Sequence, residues 1–234
     1  MCHVPQNLTQ FLVDNLIPFG IAIYQHDSIE QIQKFMQQKT AHIMLFNIDQ
    51  SSVNWLNFVQ NIKCQPEFIN TQIIALTENY ENNANDFLLA GISSMIPQNL
   101  HPKLILKQIC TFIKILENLT KDNKRKTIRV FPNPSDRATI SIYNSMKNSE
   151  INGNIINISV RAVAFNLKNL FDLKFLPENL ELKNIKLFIQ EKQYKISGKI
   201  LRKQKNGTVI LFTQTDNAFI KSISHYIFEI LAEK

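Results

Sequence analysis

The chain has 234 residues, 44% of them hydrophobic and 19% charged, with a net charge of +7; that is the composition of a folded chain long enough for two ordinary domains, and it excludes a disordered or fibrous polymer. Charge divides unevenly: residues 1–118 hold six lysines against nine carboxylates, whereas residues 119–234 hold twenty basic against ten acidic residues. The second half therefore suits an anionic ligand, although a lysine-rich solvated surface explains the same imbalance.

In chain order, an apolar stripe at Leu8, Phe11, Leu12 and Leu16 predicts a helix over 6–16, followed by a strand at 20–24 (GIAIY). Asp27 or Ser28 can cap a helix carrying Ile29, Ile32, Phe35 and Met36. Strand 42–47, helix 53–63, strand 71–77, a helix near 83–90, strand 92–96 and helix 102–117 follow. Helices alternating with short, continuously apolar strands are the pattern of a parallel α/β sheet covered on both faces. The first domain is therefore read as 1–117. Residues 118–126 are polar and basic without an apolar period, and form the expected linker.

Beyond the linker the period changes from 3.6 to 2. Strands are expected at 127–131, 137–143, 153–158, 162–167, 184–189, 193–203 and 207–213, the last two joined by a type I′ turn at Asn206-Gly207. Six or seven short strands imply a small antiparallel barrel over 127–234. A terminal helix, capped by Asp216, carries Phe219, Ile220, Ile223, Tyr226, Ile227, Ile230 and Leu231 on one face, to close the barrel or to meet a partner.

Three cysteines at wide spacings, Cys2, Cys64 and Cys110, fit reduced thiols better than a disulfide framework or a zinc site. The five histidines lack metal-ligand spacing, and no Gly-rich phosphate loop, nucleophile elbow or paired-carboxylate constellation occurs. Neither an apolar run of membrane-spanning length nor a signal-peptide pattern is present. The expectation is a cytoplasmic protein that is not an enzyme, with no metal and no cofactor.

All five arginines lie in the second half, and Arg125 and Arg129 stand four apart at the domain boundary. Asn157 and Ser159 follow ahead of an Ala-Val-Ala-Phe strand. Two guanidinium forks and a short polar pocket suit an anionic, guanine-bearing ligand, because a planar fork pairs bidentately with phosphate oxygens or with guanine O6 and N7. Taken singly, an R-x-x-x-R in a basic linker and an N-x-S before a strand are ordinary solvated or turn sequences. Their order, with the basic strand ending Ile200-Leu201-Arg202, a hairpin and a terminal helix, resembles the PilZ domain over about residues 122–232.

That resemblance implies a receptor for cyclic di-GMP. Arg125 and Arg129, with Lys124 where many members carry a further arginine, would clamp the ligand from the linker, and Asn157 and Ser159 would bond a guanine edge. The family pattern continues to a glycine, where this chain has Arg161 and Ala162. If the final position needs positive φ or a close backbone approach, alanine costs about 1–2 kcal/mol and binding weakens about tenfold.

The first half resembles a response-regulator receiver domain over about residues 1–117, in degenerate form. By that resemblance Asn47 stands at the phospho-acceptor position, Thr77 matches the family hydroxyl, Gln98 replaces the lysine, and Cys2 and His3 fall where the acidic metal pair belongs, with the first strand incomplete. No phosphorylation is expected, Asp49 being the one nearby carboxylate. Such a domain implies a docking surface or a homodimer contact. The combined reading is a cyclic di-GMP effector that couples binding to domain reorientation and to a protein partner, in motility or pilus machinery. Two alternatives stand beside it: a PilZ-type interaction module that binds no nucleotide, and a DNA-binding response regulator. The terminal helix, with few basic residues and a broad apolar face, speaks against DNA.

Overall fold

The computed structural model describes residues 1–49, 54–78, 84–119, 127–145 and 147–232. The chain divides into two compact units, Met1–Leu12 with Tyr24–Lys124 and Val13–Ile23 with Arg125–Lys234. The segment Val13–Ile23, expected within the first domain, groups with the second unit. The strand expected at 20–24 does not form. Ile17–Phe19 is instead a single 3-10 turn, ended by Gly20 at φ 88°, and the Ile21 amide donates back to the Leu16 carbonyl at 3.3 Å. Glycine enters the left-handed region without a Cβ penalty, so the residue read as a strand start is a turn's stop.

Among the described residues the first unit holds α1 (Gln6–Leu16, continuing past the unit boundary), α2 (Ile29–Met36), β1 (Ile43–Asn47), α3 (Trp55–Lys63), β2 (Gln72–Thr77), α4 (Ala84–Ala90), β3 (Ser94–Pro97) and α5 (Pro102–Leu119). The Ser28 hydroxyl caps α2 by accepting from the Gln31 amide at 3.3 Å. The strands pair in parallel in the order β1-β2-β3. Ile73, Ile74, Ala75 and Leu76 are fully buried, as continuous apolar runs in a covered parallel sheet should be. Cys2 makes isolated parallel bridges to His26 and to Phe46 of β1, and burial pushes its thiol up to about 11. A thiol so protonated is no nucleophile. No described helix is long and apolar enough to cross a membrane.

The second unit is a closed six-stranded barrel of β4 (Thr139–Asn144), β5 (Ser149–Ile158), β6 (Ala162–Leu167), β7 (Glu181–Ile189), β8 (Lys192–Gln204) and β9 (Gly207–Gln214), in the order β4-β5-β6-β9-β8-β7. Every pairing is antiparallel. Ile140, Ile142, Val163, Phe165, Ile185, Leu187, Ile200 and Ile210 fill it, all at most 1% exposed; each such burial is worth about 1.5–3 kcal/mol. The strand expected at 127–131 reduces to one bridge, Val130 to Ile158. The last helix, α6 (Asn217–Ala232), starts where the Phe219 amide donates to the Asp216 carboxylate at 2.6 Å. Its Phe219 meets the rings of Tyr194 and Phe212 edge-on at 5.5 and 5.4 Å, and Phe219, Ile223, Tyr226, Ile227, Ile230 and Leu231 are buried.

The hairpin turns differ from expectation. Gln204 pairs with Gly207, so the two turn residues are Lys205 and Asn206, and neither they nor Gly207 has positive φ. The turn with positive φ at both central residues is the preceding one, Gln190 (φ 47°) and Glu191 (φ 64°), between the paired Ile189 and Lys192. Left-handed backbone is costly for a residue with a Cβ. Glu191→Gly is therefore expected to stabilise the unit by about 0.5–1 kcal/mol, after the larger chain entropy of glycine is offset, read as a higher denaturant midpoint.

Candidate functional site

The β5–β6 turn is built around one hydroxyl. Ser159 Oγ donates to the Ala162 carbonyl at 3.2 Å and accepts from the amides of Arg161 and Ala162 at 3.3 and 3.1 Å, while the Ser159 amide donates to the same carbonyl at 2.9 Å. One donor and two acceptor sites are all a serine hydroxyl has, and the side chain is fully buried. Ser159 accordingly shapes the turn. Arg161 is exposed, with its carbonyl held by the Phe212 amide at 2.8 Å. Ala162 begins β6 opposite Leu211 and has no positive φ, so the left-handed strain attached to alanine at this position does not arise.

Asn157 reaches the surface through an irregularity. In the β5–β6 pairing the register shifts between Ile155, opposite Phe165, and Asn157, opposite Ala164. The extra residue, Ile156, turns Asn157 from the inward parity of Ile155 to the outer face, where it is half-buried. Its amide offers both a donor and an acceptor to a base edge.

The segment ahead of the barrel lies along this edge. The Val130 amide donates to the Ile158 carbonyl and the Ile158 amide to the Val130 carbonyl, both at 3.0 Å. One step to either side of that pair, Arg129 comes to the register position of Ser159 and Phe131 to that of Asn157. Arg129 is exposed, and Phe131 is 59% exposed. Arg129, Asn157, Ser159, Arg161 and Ala162 thus converge at one end of the barrel, while Lys124 and Arg125 lie outside the described residues. A guanidinium, an amide and an exposed ring at a common edge can hold a phosphate and stack a base. Reading from sequence missed Phe131, whose position follows only from the pairing of residue 130 with residue 158.

In the first unit, Asn47 ends β1 and its Oδ1 accepts from the Asp49 amide at 3.1 Å. The Asp49 carboxylate accepts from the Thr77 hydroxyl at 2.6 Å and from the Glu78 amide at 2.7 Å. The Gln98 amide donates to the Thr77 carbonyl at 2.9 Å. His3 stands edge-on to Trp55 at 6.2 Å. Among the described residues no group of three or more potential metal-ligating side chains occurs.

No family model and no curated protein matches the chain. Solved structures similar to part of it are the PilZ domain with c-di-GMP of YcgR from Escherichia coli (12% identity, TM-score 0.39, covering 46% of this chain and 92% of that one), MrkH of K. pneumonia in its apo state (15%, 0.41, 48% and 51%), and the PilZ domain of CeSA from a cellulose-synthesizing bacterium (12%, 0.31, 44% and 97%). The match therefore spans about half the length of MrkH. Just under half of this chain is similar to a PilZ domain.

Proposed function

We propose that the barrel unit is a PilZ-type receptor for cyclic di-GMP, and that the chain is a cytoplasmic, non-enzymatic effector whose ligand state is read by a protein partner. The observation that carries this reading is the two-way pairing of Val130 with Ile158, which sets Arg129 beside the turn that also presents Asn157 and Arg161. A cyclic dinucleotide offers phosphates to the guanidinium forks and guanine edges to Asn157. Ser159 contributes by fixing the turn, with its hydroxyl spent on backbone groups. In the sequence Arg125 and Arg129 open the second unit, and we propose that a ligand held by them is coupled to domain reorientation. The ligand drives such a change only by its differential affinity for the two forms.

One observation favours a second reading, an interaction module without nucleotide: the hydroxyl expected at a guanine edge is wholly buried. Against the DNA-binding reading, α6 carries one lysine, Lys221, and no arginine to reach phosphates or base edges. For the first unit we propose a degenerate receiver-like domain that is not phosphorylated. The flanking bridges of Cys2 to His26 and Phe46 support this, since they place the start of the chain beside β1 as a receiver's first strand would be. Asn47 cannot form an acyl phosphate, and both oxygens of Asp49 are already bonded.

Thermal unfolding of the full chain tests the receptor reading. A ligand bound only by the folded state stabilises it by about 2.7 kcal/mol at one hundred times Kd, so cyclic di-GMP is expected to raise the unfolding temperature where GMP does not. An unmoved transition, with a partner captured equally with and without nucleotide, would instead support the interaction module.

A further inference from the structure

The barrel carries a second irregularity at the level of the first. In the β8–β9 pairing the register shifts between Ile200, opposite Ile210, and Arg202, opposite Val209. Ile200 and Ile210 are fully buried, and by strict alternation residue 202 would point inward with them. The extra residue, Leu201, reverses that parity and delivers Arg202 to the outer face. Ile156 does the same for Asn157 in β5. The two shifts flank one cross-strand row, Asn157–Ala164–Val209–Arg202, which runs across β5, β6, β9 and β8.

The middle of that row is short and apolar. Ala164 and Val209 are buried and carry no side-chain polar atom, so the functional groups of the row are its ends, an amide and a guanidinium. Three strand spacings separate their backbones, about 14 Å. Arg202 is exposed, and its guanidinium has no partner among the described residues. Its backbone is fixed: the fully buried Thr208 donates its hydroxyl to the Arg202 carbonyl at 2.8 Å. A residue turned outward by a bulge, pinned from behind by a buried hydroxyl and left without an ion pair is held for something outside the barrel.

We infer that Arg202 is a further ligand-binding residue of this site, a barrel-borne guanidinium that meets the phosphates or the second base of the dinucleotide from the side opposite Asn157. The inference rests on the reading of the barrel as a cyclic di-GMP receptor. It assigns the two ends of the ligand to two kinds of support, Arg129 beside the Val130–Ile158 bridge at one side and the β8 strand at the other.

Calorimetric titration of the full chain with cyclic di-GMP, comparing wild type with Arg202→Ala, Arg202→Lys and the remote Lys195→Ala, tests it. Loss of a charge-assisted contact should weaken binding about 10–100-fold in Arg202→Ala. Arg202→Lys should recover only part, since an ammonium cannot pair bidentately, and Lys195→Ala should match wild type. Arg202→Lys keeps the charge and the bulge, so its partial loss reports the contact and not the fold. Wild-type affinity in Arg202→Ala, or equal loss in Lys195→Ala, would overturn the role of Arg202 while leaving the receptor intact. No binding by wild type would remove the receptor reading and this inference with it.

Discussion

Replacing Arg125 and Arg129 together by alanine is expected to weaken cyclic di-GMP binding by about 100- to 10,000-fold, each charge-assisted contact being worth about 1.5–3 kcal/mol. The single variants should each lose about 10–100-fold. Their effects should combine to less than the product where both arginines hold the same phosphate, because residues sharing a partner couple. Arg129 is exposed and forms no part of the barrel core, so thermal unfolding without ligand should be unchanged. That separation of affinity from stability distinguishes a ligand contact from a structural one. The loss should also shrink with salt less steeply than bulk charge attraction would, since a bidentate fork adds geometry to charge. Equal affinity in wild type and the double variant would remove the clamp from the account.

The second large effect concerns the fold beneath the site. A Cβ placed on Gly207 would lie 1.9 Å from the Phe165 carbonyl oxygen, 2.8 Å from its carbon and 2.9 Å from Asn166 Cα. All three are backbone atoms of β6, the strand paired with β9, and backbone does not move aside as a side-chain tip does. Gly207→Ala must therefore push β6 from β9, at a cost of about 1–3 kcal/mol or more, which lowers the unfolding temperature by on the order of 10 °C. A discriminating variant is Gly207→Asn. Were the glycine present for a type I′ turn, asparagine would substitute well, since it tolerates positive φ. The close approach of β6 makes asparagine at least as damaging as alanine. Tolerance of asparagine with intolerance of alanine would contradict this assignment.

These two positions show what was legible in the sequence. The helix caps Ser28 and Asp216, the stripe of α6 and the period-2 pattern of the second half are local signals, and the elements stand where those signals put them. The Asn206-Gly207 pair announced the right hairpin for the wrong reason: the glycine answers a neighbouring strand, and the left-handed turn is made by Gln190 and Glu191, which no turn propensity marks. The GIAIY run reads as a strand by propensity, yet Gly20 caps a 3-10 turn ahead of it. Of the site, Arg129, Asn157, Arg161 and Ala162 could be nominated from their order along the chain. The outward turn of Asn157, the burial of Ser159 and the alignment of Arg202 could not, because register and bulges belong to pairs of strands and leave no local period.

The proposed cyclic di-GMP site is the end of the barrel where Arg129 and Asn157 meet. Amide chemical shifts of the full chain, followed through a titration with cyclic di-GMP, test it most directly. Saturable shifts are expected at tens of micromolar or below, concentrated at Arg129 to Phe131, Asn157 to Ala162 and Arg202, with the far β4–β5 turn at Asn144 to Ser149 unmoved. Absence of saturation, or shifts confined to surfaces away from the β5–β6 turn, would contradict it.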